Sequence, residues 1–366
     1  MKKMEFAKDM LDRHLDYCKP INKSNKRYRS SGVFGKIIKY KNENCPEMIK
    51  VGKKFIEIKL GFSTRKSMAV FLCDNFDDII LSEPKELINF EKDFYLLLYN
   101  EEICIQGLSP VDFGYIKTYS NKFLKYIFNY DSFSNKSGGY TWSPYDFIIN
   151  LNQTICPYCN AQFTFTVKRD LEIENEPFSI RPHLDHFFAK SIHPMLALSV
   201  YNLIPSCYTC NSSLKRDYNC VLEEQIHPYI DDLDEMGYFR REFETPITKV
   251  GLETLDYYSA IVGRGTSYKI KLESNDILFK KKIKGFEDLF KIEGRYLLFK
   301  ELLNQNIKKA LIYNELYSFR LHESYRCLFD ENESFDSMFI NTDINNNILS
   351  KLQNDILKKE FGFSRK

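Results

Sequence analysis

Two short, identically spaced cysteine pairs constrain this chain more than any other feature. Cys156 and Cys159 stand in "CPYC" and Cys207 and Cys210 in "CYTC", with 47 residues between the pairs. A Cys-x-x-Cys turn presents two thiolates to one ion, and four thiolates close the tetrahedral shell of structural zinc. The interval is longer than in simple zinc ribbons, which is compatible with zinc because only the folded geometry matters. A redox dithiol needs one pair, and buried unligated thiols are the remaining alternative. The pattern predicts a zinc staple that pins the strand leaving "CPYC" against a helix beginning near "CYTC". Folding of the intervening chain is then coupled to metal binding. The six single cysteines, Cys18, Cys45, Cys73, Cys104, Cys220 and Cys327, read as small apolar residues.

The residues between and just after the pairs carry chemistry. "RPHLDHFFAKSIHPMLALSVYNLIPSCYTCNSSLKR", 181–216, holds three histidines, Asp185, two asparagines and the second cysteine pair. Phosphodiester hydrolysis needs an activated water and neutralisation of developing negative charge. A neutral histidine is a suitable base near pH 7. Asp185 and Asn211 are hard oxygen donors of the kind Mg²⁺ prefers, with water and phosphate completing its shell. On an extended segment His186 leaves by the face opposite to Asp185, so a base and a metal ligand can approach one phosphorus from different sides. His183 shares the Asp185 face and is either a third ligand, a leaving-group contact or a hydrogen-bonding histidine beside the site. His193 and His227, each followed by Pro, read as loop and turn residues.

"CPYC…HLDHFFAKSIHP…YNLIPSCYTCN…LK" resembles the HNH endonuclease motif, a two-stranded ribbon and a helix around a single catalytic metal. The resemblance covers roughly residues 150 to 220. It implies that His186 is the general base and that Asp185 and Asn211 hold Mg²⁺ or Mn²⁺. It implies that Asn202 ties down the inter-strand loop and so orients His186, while Lys215, with Arg216 beside it, faces nucleic acid. The Pro that usually follows Asp-His soon after is displaced here to Pro194, so the loop differs in length. The longer layout, including "YDFIINLNQTICPYCN", "IHPYIDD" and "SKLQNDIL", is similar to HNH partners of bacterial anti-phage systems of the Septu type. That similarity implies an ATPase partner, while the HNH motif itself implies DNA as the substrate, since most proteins with it act on DNA. RNA cleavage, and a non-catalytic zinc-stapled nucleic-acid-binding module, are the alternatives.

The rest of the chain frames this centre. At 366 residues, 43% hydrophobic and 15% aromatic, it can bury a substantial core. The net charge of +2 announces no polyanion partner, although residues 1–60 hold 16 Lys/Arg against 7 Asp/Glu, with the basic, aromatic run Lys23 to Asn42 among them. No stretch approaches the roughly 18 apolar residues of a membrane span, and the first residues lack an apolar signal core, so a cytoplasmic protein is expected. Alternation in 53–62 predicts a strand, the spacing of Leu87, Phe90, Phe94 and Leu97 predicts a helix over 85–100, and 121–133 offers a further apolar face. A Ser/Gly loop over 134–144 precedes a helix with Pro144 in its first turn, 144–153. Residues 162–182 read as a hairpin around the polar connection 169–177. The expected fold is α+β: a mixed region over 1–140, a zinc-bearing ββα-metal (HNH) core over 141–230, and a mainly helical region over 231–366.

Overall fold

The computed structural model describes residues 1–22, 24–43, 47–51, 53–106, 113–135, 142–168, 180–243, 252–313, 317, 320, 323–324 and 340–363. Its N-terminal part is helical around one small hairpin. In order come α1 (Lys8–Cys18), α2 (Val33–Asn42), β1 (Met48–Val51), β2 (Lys54–Glu57), α3 (Phe62–Asp74), α4 (Phe76–Leu81), α5 (Pro84–Gln106), α6 (Phe113–Ile127), α7 (Tyr130–Ser134) and α8 (Pro144–Asn150). In α5, Leu87, Phe94 and Leu98 are sealed on one face, and Pro84 sits where its missing N–H costs nothing. The strand expected over 53–62 is shorter, because β2 pairs antiparallel with β1 only from Lys54 to Glu57. Ile58 and Leu60 beyond it still turn into the core. The helix expected over 144–153 stops at Asn150, and Asn152 takes a left-handed φ of 49°.

Of the hairpin expected over 162–182, the described residues form single bridges. Val167 and Ile180 exchange both backbone hydrogen bonds at 2.8 Å, whereas Phe163 pairs back with Ile155. The connector between Val167 and Ile180 falls largely outside the described residues, as do 136–141, Cys45, Cys327 and the side chain of Cys104. Cys18 and Cys220 are buried, as small apolar residues would be, and Cys73 is half-buried.

A second ribbon joins β3 (His183–His186) to β4 (Leu203–Ser206), antiparallel, with Asp185 opposite Ile204 and His186 opposite Leu203. The C-terminal part holds α9 (Leu233–Met236), β5 (Tyr238–Phe243), α10 (Leu252–Ile261), β6 (Tyr268–Glu273), α11 (Ile277–Phe290), α12 (Ile292–Tyr296), α13 (Lys300–Ile312) and α14 (Ser350–Phe361). The β5–β6 hairpin interrupts the expected run of helices. "YKIKLE" alternates plainly, with Tyr268, Ile270 and Leu272 inward, but its partner strand places Arg241 at an inward position beside Phe239. Arg241 is tolerated there because it pairs with Glu360 of α14 and donates to the carbonyls of Ala260 and Ile261. That charge breaks the apolar alternation by which a half-buried strand is recognised.

Buried side chains from every part of the chain, among them Met10, Phe94, Phe147, Ile204, Phe286 and Ile356, belong to one core cluster. The segment before α14 wraps the first cysteine turn. Asn160, in a left-handed conformation at φ 45°, donates to the carbonyls of Ile344 and Asn347, and its backbone carbonyl accepts from Leu349. Among the described residues no helix is long and apolar enough to cross a membrane.

Candidate metal centre and catalytic cleft

Each cysteine pair closes a turn on itself: the backbone N–H of Asn160 reaches the carbonyl of Cys156, and that of Asn211 the carbonyl of Cys207. The two turns meet so that all four sulfurs lie within 4.8 Å of one another, every one buried, with Cys159 Sγ and Cys207 Sγ 3.9 Å apart. Sulfurs at about 2.3 Å from a tetrahedral zinc are separated by a little under 4 Å. The four sulfurs can therefore hold a metal such as zinc. Donors already surround them: Cys207 N–H points at Cys156 Sγ, Cys210 N–H at Cys207 Sγ (both 3.4 Å), and the Arg295 guanidinium at Cys210 Sγ (3.3 Å). Such contacts stabilise thiolate rather than thiol. Hydrogen bonds from the other three sulfurs hold the Cys159 thiol far below its ordinary range, while burial pushes Cys156 up.

Strand β3 runs beside this centre and its alternation separates Asp185 from His186. Asp185 is buried at 3% exposure; its Oδ2 accepts from Tyr158 Oη at 2.6 Å and its Oδ1 from Lys215 Nζ at 3.1 Å. His186 turns to the opposite side, where Nε2 donates to the Ala197 carbonyl at 3.0 Å and the ring meets Tyr130 edge-on, 4.4 Å between centroids. A carbonyl only accepts, so Nε2 carries the proton and Nδ1 is left as a lone pair with no partner among the described residues. Burial, the largest influence, pushes the imidazole down to about 3, so it is neutral near pH 7. Asn202, fully buried, accepts from Phe188 N–H (2.7 Å) and donates to the carbonyls of Leu196 (2.9 Å) and Phe188 (3.2 Å). It ties the inter-strand loop together one residue before the carbonyl that orients His186.

The helix expected after "CYTC" is wound as a π turn, Thr209–Lys215, and the Arg216 N–H reaches back five residues to the Asn211 carbonyl at 2.7 Å. This winding corrects the reading of Lys215. An i→i+5 turn stacks Lys215 over Cys210 on the inner face, whereas an α-helix would swing it outward. Lys215 is 2% exposed, bonded to Asp185 and, at 2.6 Å, to the His186 carbonyl, so it cannot touch a phosphate. Arg216 takes a left-handed φ of 50° and is exposed. Asn211 sits at the start of the turn with Nδ2 against Nδ1 of the exposed His183 (3.0 Å), while Oδ1 takes no hydrogen bond from any described residue.

One cleft of about 370 Å³ gathers these groups: His183, Asp185, His186 and Asn211 line it together with Tyr130, Arg181, Lys190 and Arg216. The rim cations are held in place, Lys190 by Asp131 at 3.2 Å and Arg181 by the Ser134 carbonyl at 3.0 Å. None of the described basic residues of the first 60 lines it. Comparison with protein-family models, with curated proteins and with solved structures returned no match. The cleft is therefore read from its own geometry.

Two further histidines stand apart. His193 pairs through Nδ1 with Glu91 of α5, and His227 is buried against Phe187 while its carbonyl accepts from Asp231 in a turn. Sequence reasoning missed Tyr130, Tyr158, Arg181 and Lys190. Tyr158 lies inside "CPYC" and was open to notice, but its partner is 27 residues away, a distance that no local pattern spans.

Proposed function

We propose that this chain is a metal-dependent endonuclease of the HNH type that hydrolyses phosphodiester bonds, with DNA as its substrate. One arrangement carries the reading: a neutral His186, held through Nε2 on a backbone carbonyl with no partner for Nδ1 among the described residues, shares a cleft with Asp185 and Asn211. His186 Nδ1 takes a proton from water as the water oxygen bonds to phosphorus, and the bond from phosphorus to the leaving oxygen breaks. Asn202 keeps the Ala197 carbonyl where it fixes the tautomer. Arg216, Lys190 and Arg181 draw the backbone of the substrate to the cleft.

The donor set suits a hard divalent ion. A carboxylate offers about four lone-pair sites, of which Tyr158 and Lys215 use two, and Asn211 Oδ1 takes no hydrogen bond among the described residues. Asp185 and Asn211 would hold Mg²⁺ or Mn²⁺, with His183 at the edge of the same site and the four cysteines holding zinc as a structural ion. When bound, the divalent ion would supply positive charge that neutralises the negative charge developing on the phosphate.

Supercoiled plasmid incubated with the full chain and Mg²⁺ or Mn²⁺ should be nicked or linearised, and His186→Ala should abolish this with zinc content unchanged. Cleavage of single-stranded RNA in place of DNA would select the RNA nuclease. Tight binding without cleavage of either would select the zinc-stapled binding module and sink the enzyme reading. The defence role and the ATPase partner rest on the resemblance alone; co-purification with the product of a neighbouring ATPase gene tests them.

A further inference from the structure

Both oxygens of the Asp185 carboxylate are held, and each is held by a residue from a different cysteine turn. Tyr158 stands between Cys156 and Cys159; its hydroxyl donates to Oδ2, and its fully buried ring stacks on Phe290 with 4.5 Å between centroids. Lys215 closes the π turn that contains Cys210, and its ammonium bridges Oδ1 and the His186 carbonyl. We infer that the four-cysteine centre positions the candidate catalytic carboxylate, with Tyr158 and Lys215 as its two positioning residues.

The physical reason lies in the freedom of an aspartate side chain. Its terminal torsion is broad and nearly two-fold, so a carboxylate held at one oxygen swings while one held at both is fixed in plane. The restraint is only as rigid as its anchors. Tyr158 is bounded by two sulfurs in one turn, and Lys215 hangs from a turn whose first residues follow Cys207. An ion on the four sulfurs locks both turns together, and the lock reaches Asp185 through two hydrogen bonds. Outer-sphere partners of this kind change metal affinity or activity by about 10–100-fold when removed.

This inference rests on the reading that Asp185 holds a divalent ion, and the test separates the two. Zinc-loaded full-length protein is titrated with Mn²⁺, free Mn²⁺ is followed by electron paramagnetic resonance, and zinc is counted per chain. Tyr158→Phe keeps the ring and its stack and removes only the donor. It should retain one zinc per chain and bind Mn²⁺ about tenfold more weakly, with plasmid cleavage losing kcat rather than gaining KM. Should that variant not fold, Phe290→Leu unstacks the ring while leaving the hydroxyl, and should weaken Mn²⁺ binding by a smaller factor. If Asp185→Asn loses Mn²⁺ while Tyr158→Phe, or in its place Phe290→Leu, binds it like the parent, the positioning role is overturned and the nuclease reading survives. If Asp185→Asn binds Mn²⁺ as tightly as the parent, both fall.

Discussion

Replacing Lys215 with Met tests the packing of the cleft floor directly. Its Nζ lies 3.1 Å from Asp185 Oδ1, and the two side chains are 1% and 3% exposed, so water replaces a lost partner poorly. Methionine fills the volume of the aliphatic stem and strands the carboxylate. Removing one member of a buried ion pair costs about 3–5 kcal/mol. Tyr158 still donates to Oδ2, which puts the expected loss near the lower end, about 3 kcal/mol. For a chain of this length that corresponds to a fall in Tm of about 4 °C. Asp185→Asn should cost a similar amount, because it leaves a buried ammonium facing only a carbonyl. The double variant removes both charges, and its loss should fall short of the sum by about 2 kcal/mol or more. The assay is thermal and urea unfolding of all four zinc-saturated proteins, with two probes required to coincide. Losses that add to within about 0.5 kcal/mol would mean that no such pair exists. Lys215 would then be the solvent-facing residue that the resemblance implies.

Cys159→Ser should abolish zinc binding and lower the Tm by more than any single cleft substitution, because structural zinc in small domains supplies about 10–16 kcal/mol; unchanged zinc content would contradict the four-sulfur centre. Stability should fall with acidification. His14, fully buried with Nε2 on the Leu198 carbonyl (2.8 Å) and Nδ1 accepting from Trp142 (3.1 Å), is pushed by burial down to about 4, and His227 to about 3. Unfolded histidines near 6.5 take up protons first, so stability is full above pH 6.5 and is lost toward pH 4 by up to about 1.4 kcal/mol per pH unit for each histidine. Urea midpoints against pH for the parent and His14→Gln check the sign, and an unchanged slope in the variant removes His14 from the account. Arg216→Ala should weaken nucleic-acid binding and reduce the log–log salt slope by about one; a slope that does not move would place Arg216 off the backbone path.

Much of the centre was legible because its signals are local. Two Cys-x-x-Cys turns report a four-sulfur shell whatever separates them, since two-residue spacing already sets the geometry within each turn. Alternation along an extended segment likewise predicts that Asp185 and His186 leave by opposite faces, and they do. Apolar spacing in α5 marked a helix correctly because helical periodicity is written into neighbouring residues. The β5–β6 hairpin was less legible, since Arg241 at a buried position disguises the alternation and is permitted only by Glu360, more than a hundred residues later.

What the sequence determined by itself is which groups are available: four sulfurs, an imidazole, a carboxylate and two side-chain amides, all within residues 156–211. What only the tertiary structure decided is where each one points. The π winding sends Lys215 inward onto Asp185. Tyr158 comes to hold the other carboxylate oxygen, and a backbone carbonyl at Ala197 selects the tautomer of His186. Hydrogen-bond direction and burial are set by partners distant in the chain, and the short-range patterns that make a motif readable carry no record of them.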